Sequence, residues 1–293
     1  MCRFYKSLDY IFSNFLRLTC IITLLILILI IFFISKESLL LFKDYSFMDF
    51  ITTQSWNPLS KNPSFGILPM ILSTLYVSIV ALIIALPLGV GTALLTSCVL
   101  SKKSHRYILP FFNLLAGIPS VVYGFFGLLI VVKFFEAKFS FSSGESIFAG
   151  GIVLSVMILP YIISTCHESM IKIRDGYYEV STSLVTSKWY MIRNLILPGS
   201  KIPIFTSGAL ALSRAIGETM AVMMVIGNSP IIPKLFSRGE TLSGLIALEM
   251  SGAEIGSVHY HALYGAGFVL ILILLIINLI FSFIKNLLEK KYL

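Results

Sequence analysis

Two opposite charges stand four residues apart in a stretch that is otherwise apolar or small. Residues 207–228 read SGALALSRAIGETMAVMMVIGN and carry Arg214 and Glu218. A charge at mid-bilayer costs about 2.5–3.5 kcal/mol on insertion scales, so neither side chain can face lipid. On one continuous helix the two would share a face and could pair. A guanidinium donates to two oxygens at once, which suits it to a tetrahedral oxyanion. A carboxylate beside it would neutralise the cation at rest and keep an anion from binding too tightly to leave. Asn228, fourteen residues past Arg214, falls within about 40° of its face on a continuous helix and would extend the polar stripe. The competing reading is an ion pair that only fixes helix register. Next to the charges, Ala209, Ser213, Gly217 and Ala221 recur at four-residue spacing, a pattern that lets another helix approach closely.

Other chemistries are poorly supplied. No G-x-x-x-x-G-K-[ST] string occurs, nor any Gly-Lys dipeptide, so the chain is not expected to hydrolyse ATP. Cys2, Cys20, Cys98 and Cys166 are scattered without a C-x-x-C spacing and read as small apolar side chains. His259-x-His261 offers two metal ligands with no cysteine or acid cluster beside them, which is too few for a site. The chain itself is therefore expected to bind no metal and no cofactor. Glu218 is the only acid within the apolar runs, and His105 and His167 lie at their edges. A proton relay through the membrane would need more such groups.

The most polar connection between runs, residues 167–201, is the second candidate region. From Gly176 to Pro198 it reads as a short helix, a turn and a second helix ending before Pro198. It could dock on a soluble partner, or be a solvated loop with Tyr and Trp anchored at the interface.

The elements that must position these residues are membrane helices. Of 293 residues 57% are hydrophobic and only 12% charged, with a mean hydropathy of +0.93; a typical globular chain is about 25% charged. Six runs, 18–34, 67–100, 107–132, 147–166, 202–229 and 262–284, approach or exceed the roughly 20 residues that a bilayer core requires. The first follows Arg3, Lys6 and Arg17 but ends in FFISK without a small-residue cleavage site, which predicts an uncleaved span. With the N-terminus inside, the inside segments carry twice the Lys and Arg of the outside ones, so both termini are expected on the cytoplasmic face. The net charge of +8 is distributed between apolar runs as anchors, not gathered into a nucleic-acid surface. Pro87, Pro119 and Pro160 lie inside runs and should free the carbonyls of Ile83, Leu115 and Val156; a pathway that moves would use such kinks. Segment 239–256 is open between a surface helix and a re-entrant piece.

Several strings resemble one family. Glu179, Leu197 and Pro198 match the glutamate-led loop of type I ABC importer permeases, E-A-A, three residues, G, nine residues, I-x-L-P. Val180-Ser181 stands for Ala-Ala, Val185 for Gly and Leu195 for Ile. AGIPSVVYGFFG at 116–127 and RAIGETMAV at 214–222 resemble the phosphate-specific importer permeases. FGILPM at 65–70 and ALPLGVGTA at 85–93 add to the match. The Met-Ala-Val after Gly-Glu-Thr resembles the C-type subunit. The resemblance implies an all-α polytopic membrane protein with six transmembrane helices and a MetI-like permease core over 67–285. A first helix and external loop would occupy 1–66, and a cytoplasmic tail 286–293. It further implies Arg214, Glu218, Thr219, Asn228 and Ser120 along a phosphate pathway. Gly176, Glu179, Val185, Leu197 and Pro198 would form the loop that couples to an ATPase. The implied partners are an A-type permease, a cytoplasmic ATPase dimer holding ATP and magnesium, and an extracytoplasmic phosphate-binding protein, in a bacterial inner membrane. An importer for another oxyanion, such as sulfate or molybdate, stays open, as does a stand-alone secondary transporter.

Overall fold

Backbone groups in hydrocarbon must find partners within their own segment, which leaves helices as the form for long apolar runs. The computed structural model describes residues 2–100, 102–139, 143–183 and 187–292. Among these, five helices are long and apolar enough to cross a membrane, and a sixth crossing results if one bent pair counts as a single span.

Helix α1 (Cys2–Leu41) leads, followed by α2 (Phe47–Thr52) and a two-stranded antiparallel hairpin pairing Trp56–Asn57 (β1) with Ser64–Phe65 (β2). Helix α3 (Leu68–Leu94) contains Pro87 and passes into a π-helical stretch at Leu95–Val99. Then come α4 (Lys102–Ala116), α5 (Ser120–Phe126), a π-helical stretch at Gly127–Val132 and α6 (Lys133–Phe139). Helix α7 (Ile147–Ser183) is 37 residues long, about 55 Å at 1.5 Å per residue, far more than a hydrocarbon core of about 30 Å. Short pieces α8 (Lys188–Met191) and α9 (Leu197–Gly199) flank a π-helical stretch at Ile192–Ile196 and lead into α10 (Lys201–Ile216) across a 58° bend. Helices α11 (Met220–Ile226), α12 (Leu242–Glu249) and α13 (Val258–Tyr292) complete the chain.

Two expected spans are corrected. The run 107–132 is not one helix: α4 stops at Ala116, and the continuous crossing helix starts at Ser120 and reaches Lys138. Pro119 is therefore not inside a helix but at the N-cap of α5, where its fixed φ and missing N–H carry no penalty. The Leu115 carbonyl loses its i+4 helix partner as expected, and it accepts the Ile118 amide at 3.2 Å and the Tyr123 hydroxyl at 2.7 Å instead. The run 202–229 is likewise broken, at 217–219, between α10 and α11. Glycine, a charged residue and a β-branched threonine follow one another there, a poor set for continuing a helix.

Two clusters make the core. One joins α3, α7, α10 and α11 through Val77, Ala81, Ile158, Ile162, Ala211 and Val222. Helices α3 and α7 approach closely at glycines: a β-carbon at Gly89 would lie 2.6 Å from Ile162 Cγ2, and one at Gly151 would run into Val80. The second cluster packs Phe50, Trp56 and Phe65 against α12 and α13. Helix α1 packs on α13 and exposes most of its apolar side chains, as a lipid-facing helix does.

Candidate functional site

Arg214 rides the last turn of α10. The carbonyl end of a helix favours a cation, and the amide end of the next favours an anion. The break at 217–219 exploits both, since Glu218 stands just before α11, whose N-cap is Thr219. The expected helical pairing of Arg214 with Glu218 does not form. No ion pair joins them among the described residues, because the chain leaves the helix at Ile216 before a further turn can stack the two side chains. The Glu218 amide closes the turn on the Ala215 carbonyl at 3.2 Å. Its own carbonyl accepts the Ser243 hydroxyl of α12 at 3.0 Å.

Arg214 instead lies over an aromatic ring. Its guanidinium carbon is 4.4 Å from the centre of Tyr161 on α7, well within the range of cation–π attraction. Among the described residues Arg214 makes no hydrogen bond, and it is exposed. Its five N–H donors are thus at liberty to meet a ligand.

The other expected pathway residues are dispersed. Among the described residues the Thr219 hydroxyl makes only a long contact, 3.5 Å, to the Gly217 carbonyl. Asn228 does not continue Arg214's stripe; it lies past the far end of α11, where Gly227 takes a φ of 88° and the Asn228 side-chain amide Nδ2 donates to the Met223 carbonyl at 2.9 Å. That geometry closes the helix. Ser120 opens α5, which packs against α11. Of the four-residue stripe, Ser213 faces α13 through a 3.0 Å hydrogen bond to Asn278, whereas Gly217 falls in the break. The surface that packs on α3 and α7 is rotated, and carries Ser207, Gly208, Ala211 and Ala215.

Tyr161, Tyr123 and Ser243 escaped the sequence reading. A signal existed for the tyrosines: an aromatic with a polar tip in the middle of an apolar run must find a partner for it.

Segment 239–256 forms the eight-residue α12, too short to cross and buried over its first turn. Thr241 caps it by accepting the Gly244 amide at 3.1 Å, and the Leu242 amide donates to Thr74 of α3 at 3.0 Å. Glu240, just before this cap, is only 4% exposed. Removal from water, and then the charge of Glu249, push its carboxyl up to about 7. Glu249 accepts the Trp56 indole N–H at 3.0 Å and lies 2.8 Å from His259 Nε2. His261 Nδ1 sits 3.2 Å from Glu37, close enough for ion pairing but poorly aligned for a hydrogen bond. Both histidines thus face carboxylates.

At the other end of the bundle, the segment expected to couple to an ATPase differs from the expected short helix, turn and helix. Helix α7 runs unbroken from the membrane through Gly176 and the backbone of Glu179 to Ser183. Val185 lies outside the described residues. The second helix does not stop before Pro198 but carries Leu197 and Pro198 in α9 and bends only at Ser200. Ile173, Tyr177, Leu195, Pro198 and Lys201 line a cleft of about 510 Å³ there, and Trp189 and Tyr190 of α8 are exposed.

Residues 85–293 match the family of binding-protein-dependent transport system inner membrane components. A probable ABC transporter permease protein of Bacillus subtilis, YqgH, is 36% identical over 82% of this chain and 78% of its own length. The phosphate transport system permease protein PstC of Mesorhizobium japonicum is 33% identical over 78% of this chain and 75% of its own. Among solved structures, the inward-facing MetNI methionine ABC transporter has a chain that superposes with a TM-score of 0.57 at 16% identity, over 75% of this chain and 94% of that one. This last likeness is one of fold.

Proposed function

The chain belongs to the binding-protein-dependent transport system inner membrane components, and on that premise we propose that it forms the inorganic phosphate route of an ATP-driven importer. As a family member it is a multi-pass membrane permease subunit and not an enzyme. It works with an ATPase and a substrate-binding protein. The phosphate transport permeases among its relatives, of which that of Mesorhizobium japonicum is 33% identical across about three-quarters of both chains, support phosphate as the solute.

The observation that carries the chemistry is Arg214: a cation in an apolar bundle, exposed and, among the described residues, with its N–H edges unbonded. Glu218 and Thr219 at the adjoining break, with Ser120 and Asn228 nearer its ends, would complete the lining. Energy comes from a partner that carries ATP and magnesium, this chain binding neither. Closure of that ATPase dimer would press on α7 near Glu179 and on α8 and α9. About 27 Å of helix separates Glu179 from Tyr161 at 1.5 Å per residue, so the push reaches the site along one rod. Delivery by the binding protein must then favour the outward-open state, because a ligand shifts such an equilibrium only by its differential affinity. The C-type pattern after Gly-Glu-Thr supports an A-type permease as the second half of the pathway. The distribution of basic residues supports both termini inside.

The test is uptake of labelled phosphate in a bacterial strain lacking its own phosphate importer, with this chain expressed beside its partners. Arg214→Gln is expected to abolish uptake while the protein stays in the membrane. Normal uptake by that variant would leave Arg214 a structural residue only. Restored transport of sulfate but not phosphate would reassign the solute.

A further inference from the structure

We propose that Tyr161 is a positioning residue for Arg214, holding the guanidinium by its face so that its N–H edges stay open to the phosphate oxygens. The inference rests on the phosphate pathway proposed above.

The geometry separates two ways of holding a cation. A carboxylate partner would take up the guanidinium edge, the same donors that a tetrahedral oxyanion needs. A ring takes up the face and leaves those donors unspent. The break after Ile216 removes the first arrangement, since Glu218 is no longer stacked one turn above Arg214. Tyr161 supplies the second, at 4.4 Å. The long side chain of an arginine is costly to order; a ring that has already ordered it lets the ligand bind without that cost. Tyr161 is itself well supported. Its neighbours in sequence, Ile162 and Ile163, are fully buried, and Ile162 packs into the notch left by Gly89. Pro160 precedes it inside α7, so any flexing at that proline turns the ring, and with it the cation.

The experiment measures phosphate transport by the complete transporter in proteoliposomes, separating KM from kcat. Tyr161→Leu is expected to raise KM roughly fivefold to thirtyfold with kcat changed by less than about threefold. Tyr161→Phe, which keeps the ring face, recovers the affinity lost in Tyr161→Leu. Phenylalanine carrying one to five ring fluorines at position 161 keeps the shape but drains negative charge from the face; KM is expected to climb with each fluorine. A flat fluorine series overturns the inference, as does a Tyr161→Phe whose KM is as high as that of Tyr161→Leu. So does a Tyr161→Leu that lowers kcat alone. The fluorine series carries the decision where the leucine variant does not assemble. If Arg214→Gln transports normally, the pathway itself is wrong; if it does not transport and the fluorine series is flat, only the role of Tyr161 falls.

Discussion

Glu240 offers a stability measurement whose sign and size follow from its surroundings. It lies between α11 and α12, outside the helices that can cross a bilayer, and is almost completely buried. Its carboxyl titrates at about 7 instead of the ordinary 4.5 because burial, and secondarily Glu249, disfavour the anion. That interval corresponds to about 3 kcal/mol. The folded protein holds this proton more tightly than the unfolded chain does. Its stabilising effect is therefore complete below pH 4.5, falls as pH rises, and is gone above about 7. Glu240→Gln mimics the protonated form at every pH. It is expected to match the native protein near pH 4 and to exceed it progressively up to pH 8, by at most about 3 kcal/mol. Thermal unfolding of both proteins in lipid nanodiscs at half-unit pH steps reads this out, and their difference at each pH cancels the titration of groups not coupled to Glu240. A difference that is constant with pH, or a variant less stable at pH 8, would refute the reasoning. Helix α12 holds the Glu218 carbonyl through Ser243, so loosening at alkaline pH is expected to reach the break beside Arg214.

Other outcomes follow from single contacts. Gly151→Ala drives a β-carbon into Val80 on α3 and should cost about 1–3 kcal/mol by overpacking. Gly91→Ala, which meets nothing within 4 Å, should not; equal melting temperatures for the two would contradict the close α3–α7 approach. Tyr123→Phe removes one of the two donors that serve the Leu115 carbonyl at the α4–α5 break and leaves the Ile118 amide, so a loss of about 0.5–1.5 kcal/mol is expected in the same unfolding assay. Glu179→Lys is expected to weaken association with the ATPase, seen as a lower ATPase yield when this chain is pulled down; an undiminished yield would detach Glu179 from coupling.

The hydropathy of the chain placed it in a bilayer and located where its apolar helices run, though not their ends, since hydrocarbon leaves a backbone no other form; α1 and α7 extend well past the apolar runs that marked them. Composition also singled out Arg214, because a charge within an apolar run stands out whatever surrounds it. Loss of the helix ladder at Leu115 was legible too, from the chemistry of proline at 119. Less legible were the points where a run ceases to be one helix. Runs 107–132 and 202–229 are apolar on both sides of their breaks, and hydropathy averages straight across Gly117 and Gly217. Helical arithmetic carried across the second break then paired Arg214 with Glu218 and aligned it with Asn228. The folded chain does neither. Which group holds the cation depends on α7 lying against α10, with Tyr161 53 positions before Arg214 in sequence. Local periodicity is set by bonds between near neighbours and can be read one turn at a time. A contact between distant helices is set by the packing of whole faces, here by glycine notches and small side chains that bring α3, α7 and α10 together, and no single turn contains it.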